Sequence, residues 1–271
     1  MLSLLNKQRS QGGALPAGAA CSKITRTAES EAPADAAGGA AQHAAAAAAC
    51  AALSLPAAPL SPAFTVSPPP YASVAYHACA VTPGHAAALV AAIDGPAAAQ
   101  WVELRGRRLQ QHGGAPAAGA PPLPPYLASL AAQLVAAGVF PCAHAPNHVL
   151  INDYALGEGI LAHTDGPRYH PCVATLSLLD DAVMRFSVLH GREAEGERGG
   201  QVVGELLLRA NSLVVTWGEC YSRYAHGIAE EAESVLGGSL WNAGAAGAGA
   251  GQAFARQGRR VSITIRHVLA S

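Results

Sequence analysis

The sequence predicts a mainly β domain with flanking helices, built as a sandwich or jelly roll. After Pro146 the chain consists of short runs rich in β-branched residues, separated by Gly, Pro and Asp turns. Two helical patterns precede these runs, and an alanine- and proline-rich stretch precedes the helices. The 271 residues are enough for one well-buried core, so we expect one domain and a tail.

Residues 1–70 are predicted to be a disordered tail and linker. Sixteen of residues 31–60 are alanine, and prolines continue to Pro70, so this segment can bury little large apolar surface against its ordering entropy. The first 28 residues carry four Lys and Arg residues and no acid. That bias is typical of an organelle transit peptide, and an ordinary disordered tail has the same composition. The domain is predicted to fill residues 71–271.

The net charge and the cysteine spacing argue against several classes of protein. The formal net charge of −1 gives no global positive field, so any basic surface must be local. The six cysteines are far apart with no CxxC spacing, which argues against a zinc ribbon and a dense disulfide framework. The apolar run from Ala44 is mostly alanine and ends at Pro56, so no membrane span is expected. We expect an intracellular monomer, in the nucleus or cytoplasm unless the tail directs organelle import.

Two helices are predicted before residue 146. Thr82 and Pro83 provide an N-cap and a first-turn proline ahead of an apolar run. A second helix is predicted from Pro125 to Ala137, with three leucines on one face and Gly138 as its stop. Both helices are expected to pack against a sheet.

Seven strands are predicted after Pro146. They cover residues 148–154, 172–178, 184–189, 202–208, 212–217, 221–226 and 260–268. Two glycine-rich interruptions, 191–200 and 242–251, are interpreted as flexible excursions between strands.

His163 and Asp165 form the one His-x-Asp sequence in the chain. Residues i and i+2 of an extended segment point the same way, so these two can supply neighbouring metal ligands. A facial triad for Fe(II) needs two imidazoles and one carboxylate, which leaves the other coordination positions open. His226, on a strand that returns after a Gly218 turn, is the candidate third ligand. A core histidine bonded to the backbone is the alternative for His226.

The C-terminal strand carries polar side chains on one face and aliphatic ones on the other. Alternation gives the polar face Arg260, Ser262, Thr264 and Arg266. Two arginines about 20 Å apart along the strand can lean over a short dicarboxylate, and guanidinium binds carboxylates bidentately. A solvated edge strand is the alternative. Asn152 and Tyr154 also share a strand face, where they can meet the same ligand or form satisfied core polarity.

Together these segments resemble the AlkB family of Fe(II)/2-oxoglutarate-dependent dioxygenases, and most closely its homologue-six branch. The resemblance runs from about Trp101 to Val268 and is carried by NDYALGEGILAHTDGPRYHPCVATLSL (152–178), YAHGI (224–228) and RRVSITIRHV (259–268). It implies the double-stranded β-helix form of the jelly roll.

The resemblance also implies roles for the candidate residues. Fe(II) would be held by His163, Asp165 and His226. 2-Oxoglutarate would be held by Asn152, Tyr154, Arg260, Ser262, Thr264 and Arg266. Arg260 would take its distal carboxylate, and Arg266, near the metal end, would steady Asp165. The family chemistry uses O₂ and this cosubstrate to hydroxylate a C–H bond, often on an N-alkyl group of a nucleobase, and releases succinate and CO₂.

The substrate is less sharply indicated. Residues 106–114 resemble the family's lid over the nucleotide, where an aromatic usually precedes the glycines, and here His112 takes that place. An imidazole stacks on a base less broadly than Trp or Tyr. Arg105, Arg107 and Arg108 form a local basic patch that can meet phosphates or belong to a solvated loop. Alkylated RNA or DNA is the expected substrate; a protein or small-molecule substrate and a catalytically silent scaffold are the alternatives.

Overall fold

The computed structural model describes residues 53–95, 100–115, 119–189 and 200–269. The predictions for residues 1–52 and for nearly all of the 191–200 interruption lie outside these ranges. In the described part the domain consists of two facing antiparallel sheets with helices outside the larger one, which confirms the predicted double-stranded β-helix.

The larger sheet has seven strands. In chain order they are β1 (Val74–His77), β2 (Val102–Leu104), β3 (Arg107–Gly113), β4 (His148–Tyr154), β6 (Cys172–Leu178), β9 (Leu213–Trp217) and β13 (Arg260–Arg266). Their order across the sheet is β1-β9-β6-β13-β4-β3-β2, so β13 is a central strand and not an edge strand.

The smaller sheet has four strands. They are β5 (Ile160–His163), β7 (Ala182–Val188), β8 (Val202–Leu208) and β10 (Tyr224–Ile228), arranged as β5-β10-β7-β8. A separate two-stranded ribbon pairs β11 (Glu233–Val235) with β12 (Ala253–Ala255). The predicted strand at 221–226 is shifted, because residues 218–222 form a short helix and β10 starts only at Tyr224.

The helices of the described ranges are α1 (Pro83–Asp94), α2 (Pro125–Ala136), α3 (Gly218–Ser222) and α4 (Ala243–Ala246), with a 3₁₀ turn at Cys142–His144. Thr82 caps α1 as predicted, since its Oγ1 accepts a hydrogen bond from the backbone N of His85 at 3.3 Å. Apolar residues of α1 and α2 share one core with the outward face of β4 and β13. None of the described helices is long and apolar enough to cross a membrane.

Residues 242–251 are more ordered than their composition predicts. Asn242 is buried and bonds both backbone groups of Leu207, one through Oδ1 and one through Nδ2, at 3.0 and 2.9 Å. Ala246 of α4 belongs to the core of the smaller sheet. The prediction of a flexible excursion is therefore wrong for the first half of this segment. The four described cysteines are free, and Cys172 and Cys220 are buried.

Residues 53–70 pack onto the domain. Four of their apolar side chains contact the core of the larger sheet, namely Leu53, Leu55, Leu60 and Phe64. The backbone also extends the sheet, since Thr65 pairs with Ala75 of β1. The predicted tail is therefore wrong for residues 53–70: scattered large apolar residues, hidden among alanine and proline, give this segment enough surface to bury.

Phe64 tests this packing, because its ring lies 5.0 Å from the ring of His77 on β1 and is only partly buried. Phe64→Ala is expected to lower the free energy of unfolding by about 2 kcal/mol, less than for a fully buried Phe. Urea denaturation followed by circular dichroism measures the change. The exposed Leu156→Ala is the control and should stay within about 0.5 kcal/mol of the parent protein; equal losses in both variants would contradict the packing role.

Candidate active site

A cavity of about 270 Å³ lies between the two sheets. The larger sheet contributes polar side chains of β4 and β13, and the smaller sheet contributes residues of β5 and β10. Every residue predicted to hold metal or cosubstrate lines this cavity: Asn152, Tyr154, His163, Asp165, His226, Arg260, Ser262, Thr264 and Arg266. The structure thus brings together side chains that are more than 100 positions apart in the sequence.

The three predicted metal ligands meet at one end of the cavity. His163 ends β5 and pairs directly with His226 of β10, and their ring centroids are 4.6 Å apart. Asp165 follows two residues later, with its Oδ2 3.8 Å from Nε2 of His226. The strands approach closely because residue 227 is glycine: a Cβ there would lie 2.8 Å from the backbone N of Ala162.

The surroundings of the two imidazoles suit metal binding. His163 Nδ1 lies 2.9 Å from the carbonyl oxygen of Leu161, so Nδ1 carries the proton and Nε2 keeps its lone pair. Burial lowers the pKa of His226 to about 4, and the neighbouring His163 adds to this. Neutral imidazoles are the form that binds metal ions.

Arg266 fixes the carboxylate of this group. Its Nη1 donates to Oδ1 of Asp165 at 2.6 Å, and both side chains are nearly fully buried. Oδ2 is left on the side of His226. No three His, Cys, Asp or Glu side chains in the described ranges stand in complete coordination geometry. The set of two imidazoles and one carboxylate nevertheless has the donor chemistry that suits Fe(II).

Arg260 lies along the same strand, toward the other end of the cavity, and is 1 % exposed. Its Nη2 donates to Oγ of Ser177 at 2.9 Å, and its guanidinium lies 5.4 Å from the ring centroid of Tyr154. Its Nε has no hydrogen-bond partner, and no carboxylate of the described residues forms an ion pair with it. A buried, unpaired guanidinium is costly, so a carboxylate ligand fits this position.

The sequence profile of the 2OG-Fe(II) oxygenase superfamily matches residues 82–266. The chain belongs to this superfamily. It is a 2-oxoglutarate-dependent dioxygenase, with Fe(II), 2-oxoglutarate and O₂ as the cofactor and cosubstrates of the family.

The chain is also similar to individual proteins. The chain is 37% identical over 175 residues to the Danio rerio protein named Probable RNA/DNA demethylase ALKBH6, a match that covers 62% of this chain and 74% of the relative. Among solved structures, OsALKBH1 gives a TM-score of 0.46 at 13% identity, covering 72% of this chain and 96% of that one. A Pseudomonas putida prolyl-4-hydroxylase gives 0.41 at 16% identity, covering 73% and 93%.

The remaining polar residues of the oxygenase cavity lie in register on one sheet face. Ser262 pairs with Asn152 of β4, and Arg260 pairs with Tyr154. Oδ1 of Asn152 accepts a hydrogen bond from Nε of Arg107 at 3.0 Å, which leaves its amide N–H groups as donors for a ligand. Burial raises the pKa of Tyr154, so its phenol stays neutral and can donate.

The segment predicted to be a nucleotide lid is a strand of the larger sheet. β3 pairs with β4 along its length, and His112 lies opposite Val149 on the face that packs toward the helices. His112 is buried, with its Nε2 3.2 Å from Oε1 of Gln110. This burial contradicts the predicted stacking of His112 on a base.

Arg107 and Arg108 point to opposite sides of β3, as neighbours in a strand do. Arg107 lines the cavity. Arg108 instead donates from Nε to Oδ2 of Asp153 at 2.7 Å and lies 4.4 Å from the ring centroid of Trp101. The predicted basic patch is therefore divided, and Arg108 does not line the cavity.

Sequence reasoning missed Tyr169, which lines the cavity beside Arg266. Tyr169 lies in the irregular segment between β5 and β6, where no periodic pattern assigns a direction to a side chain. The resemblance covered this residue without giving it a role.

Arg260→Lys tests the cosubstrate end. Lysine keeps the charge but loses the bidentate fork, so the Kd for 2-oxoglutarate is expected to rise on the order of 10-fold or more. Isothermal titration of the Mn(II)-loaded protein with 2-oxoglutarate measures it. Arg259→Lys is the matched control, because Arg259 faces away from the cavity and pairs with Asp94 and Asp153; a similar loss in both variants would contradict the assignment.

His163→Ala tests the metal end. Under anaerobic conditions the parent protein with Fe(II) and 2-oxoglutarate is expected to show the visible metal-to-ligand charge-transfer band, and the variant should lose it because one of three ligands is gone. The His85→Ala variant should retain the band, because His85 lies on α1 and does not line the cavity. A normal band in folded His163→Ala protein would exclude His163 as a ligand.

Proposed function

We propose that this dioxygenase oxidatively demethylates alkylated nucleic acid, RNA or DNA. The observation that carries the proposal is the 37% identity over 175 residues to a protein named as a probable RNA/DNA demethylase. The full set of cavity residues described above supports active chemistry over a catalytically silent scaffold, since a scaffold needs no buried guanidinium without an anionic partner.

In this proposal each end of the cavity has its own task. His163, Asp165 and His226 hold Fe(II), and Arg260 binds the distal carboxylate of 2-oxoglutarate. Asn152 and Tyr154 orient the cosubstrate by donating hydrogen bonds, with Ser262 and Thr264 beside them, and Arg266 keeps Asp165 in place. When bound, Fe(II) and 2-oxoglutarate supply the oxidation of a C–H bond by O₂, with release of succinate and CO₂. A hydroxylated N-methyl group then leaves as formaldehyde.

Local positive charge near the cavity supports an anionic substrate. Arg107 lines the cavity itself. Two exposed arginines are close in sequence to cavity-lining residues: Arg105 is two positions before Arg107, and Arg168 is three positions after Asp165. A net charge of −1 means that these residues, and not a global field, would contact phosphates. The intracellular location, organelle import by the N-terminal residues and the monomeric state stay predictions.

A protein or small-molecule substrate is the second candidate, and the burial of His112 is the observation that favours it. Recognition of a flipped base normally uses aromatic stacking, and β3 places no aromatic side chain in the cavity. The two candidates differ in whether a methylated oligonucleotide accelerates the turnover of 2-oxoglutarate.

The assay compares formaldehyde and succinate release with N-methylated and unmethylated oligonucleotides of the same sequence. The proposal expects formaldehyde only from the methylated strand, in a one-to-one ratio with the stimulated succinate. Slow succinate release that no oligonucleotide stimulates would exclude nucleic acid as substrate while leaving the dioxygenase chemistry intact.

The proposed phosphate binding is tested by Arg105→Ala combined with Arg168→Ala. We expect weaker oligonucleotide binding at low salt and a smaller slope of log K against log salt, by about 1 for each phosphate that the variant no longer neutralises. Arg108→Ala is the control, because Arg108 is paired with Asp153 away from the cavity. An unchanged salt slope in the double variant would contradict a role of these two arginines in phosphate binding.

A further inference from the structure

The guanidinium of Arg266 lies on the ring of Tyr169. The centroid of this ring is 4.1 Å from Cζ of Arg266, well within the range of a cation–π contact. Tyr169 lies in the segment between β5 and β6, four residues after Asp165. One aromatic side chain therefore contacts the arginine that holds the proposed metal carboxylate.

Hydrogen bonds alone fix Arg266 poorly. It makes one short hydrogen bond, from Nη1 to Oδ1 of Asp165 at 2.6 Å. Nη2 is 3.5 Å from Nδ1 of His148, at the long limit for such a bond, and Nε has no partner in the described part of the chain. A planar group with a single strong hydrogen bond can turn about it, so the stacked ring is what sets the plane of the guanidinium.

Tyr169 is itself held by its backbone. It forms an isolated bridge with Val268, directly after β13. The residues before and after Tyr169 are also hydrogen-bonded to the chain that follows β13. His170 N donates to His267 O, and Leu269 N donates to Arg168 O, each at 2.9 Å. The backbone of Tyr169 is thus anchored to the chain that directly follows the strand carrying Arg266.

The orientation of Arg266 decides how Asp165 meets a metal. With Oδ1 occupied by Arg266, only Oδ2 remains on the side of His226, at 3.8 Å from its Nε2. A carboxylate that turned freely could offer both oxygens and take a position that the facial triad leaves open for cosubstrate and O₂. Restricting Asp165 to one oxygen therefore protects these open positions.

We propose that Tyr169 is a positioning residue for the metal centre: its ring holds the Arg266 guanidinium so that Asp165 offers a single oxygen to the metal. The role depends on the aromatic face and not on the hydroxyl. It is independent of the identity of the substrate, and metal affinity measured without any substrate reports on it.

The experiment titrates metal-free protein with Mn(II) and follows free Mn(II) by electron paramagnetic resonance. Tyr169→Leu, which keeps apolar bulk without a ring, is expected to raise the Kd on the order of 10-fold, as for other groups that orient metal ligands. Tyr169→Phe should stay within about two-fold of the parent protein, because it keeps the ring. In steady-state assays the KM for Fe(II) should rise in Tyr169→Leu while the KM for 2-oxoglutarate changes little, since Arg260 is untouched.

A double-mutant cycle separates this role from simple packing. Arg266→Gln removes the guanidinium, so Tyr169→Leu should cause no further loss of Mn(II) affinity in that background. If Tyr169→Leu is not folded by circular dichroism, Tyr169→Met, which also lacks a ring but fills irregular space, takes its place in the cycle, with the same expected coupling to Arg266.

Three results would overturn the proposal. The first is parent-like Mn(II) affinity in a folded Tyr169→Leu or Tyr169→Met protein. The second is an equal loss in Tyr169→Phe, which would place the function on the hydroxyl. The third is full additivity with Arg266→Gln, which would show that Tyr169 acts by another route. Failure of methylated oligonucleotides to serve as substrates would leave all three readouts unaffected.

Discussion

The burial of two arginines on one face of a central strand is the constraint on which this site depends. β13 lies between β4 and β6, with the helices on one of its faces and the cavity between the sheets on the other, so neither face reaches solvent freely. Its aliphatic face packs under the helices, and alternation then forces Arg260 and Arg266 into the space between the sheets. A buried guanidinium needs an anion, and the two arginines obtain theirs differently.

Because the two arginines are compensated differently, the two ends of the cavity differ in their chemistry. Arg266 is compensated from within the chain, because Asp165 accepts from it at 2.6 Å, and this pairing draws the end of β5 toward β13. Arg260 forms no ion pair among the described residues, so a ligand carboxylate would compensate it. One strand therefore carries both the arginine beside the three predicted metal ligands and the arginine that we expect to bind the cosubstrate, at a separation of about 20 Å between the two Cα atoms.

The sequence could predict strands in which polar and apolar residues alternate and a helix that begins with a capping residue. The polar and apolar faces of β13, the pair Asn152 and Tyr154, and the cap of α1 at Thr82 follow from local patterns and were predicted correctly. β3 was not, because Arg107–Gly113 carries polar residues on both faces, and its place in the sheet is set by pairing with β4, where His112 lies opposite Val149. Residues 53–70 were missed for a related reason, since their four packing side chains follow no period.

β3, which was predicted to be a lid, also helps to form the surface at the β2 edge of the larger sheet. Directly paired residues of antiparallel strands share a face, so Leu104 lies beside Arg107 and Val102 lies beside Leu109, on the side of the cavity. Leu104 and Val102 are 43 % and 53 % exposed, unusual for aliphatic side chains on a sheet face. Because alternation turns His112 toward the helices and Arg107 toward the cavity, the edge beside the cavity is aliphatic and cationic instead of aromatic. Under the proposed function, we expect a substrate that meets this edge to be recognised by its shape and its negative charge more than by stacking on a ring.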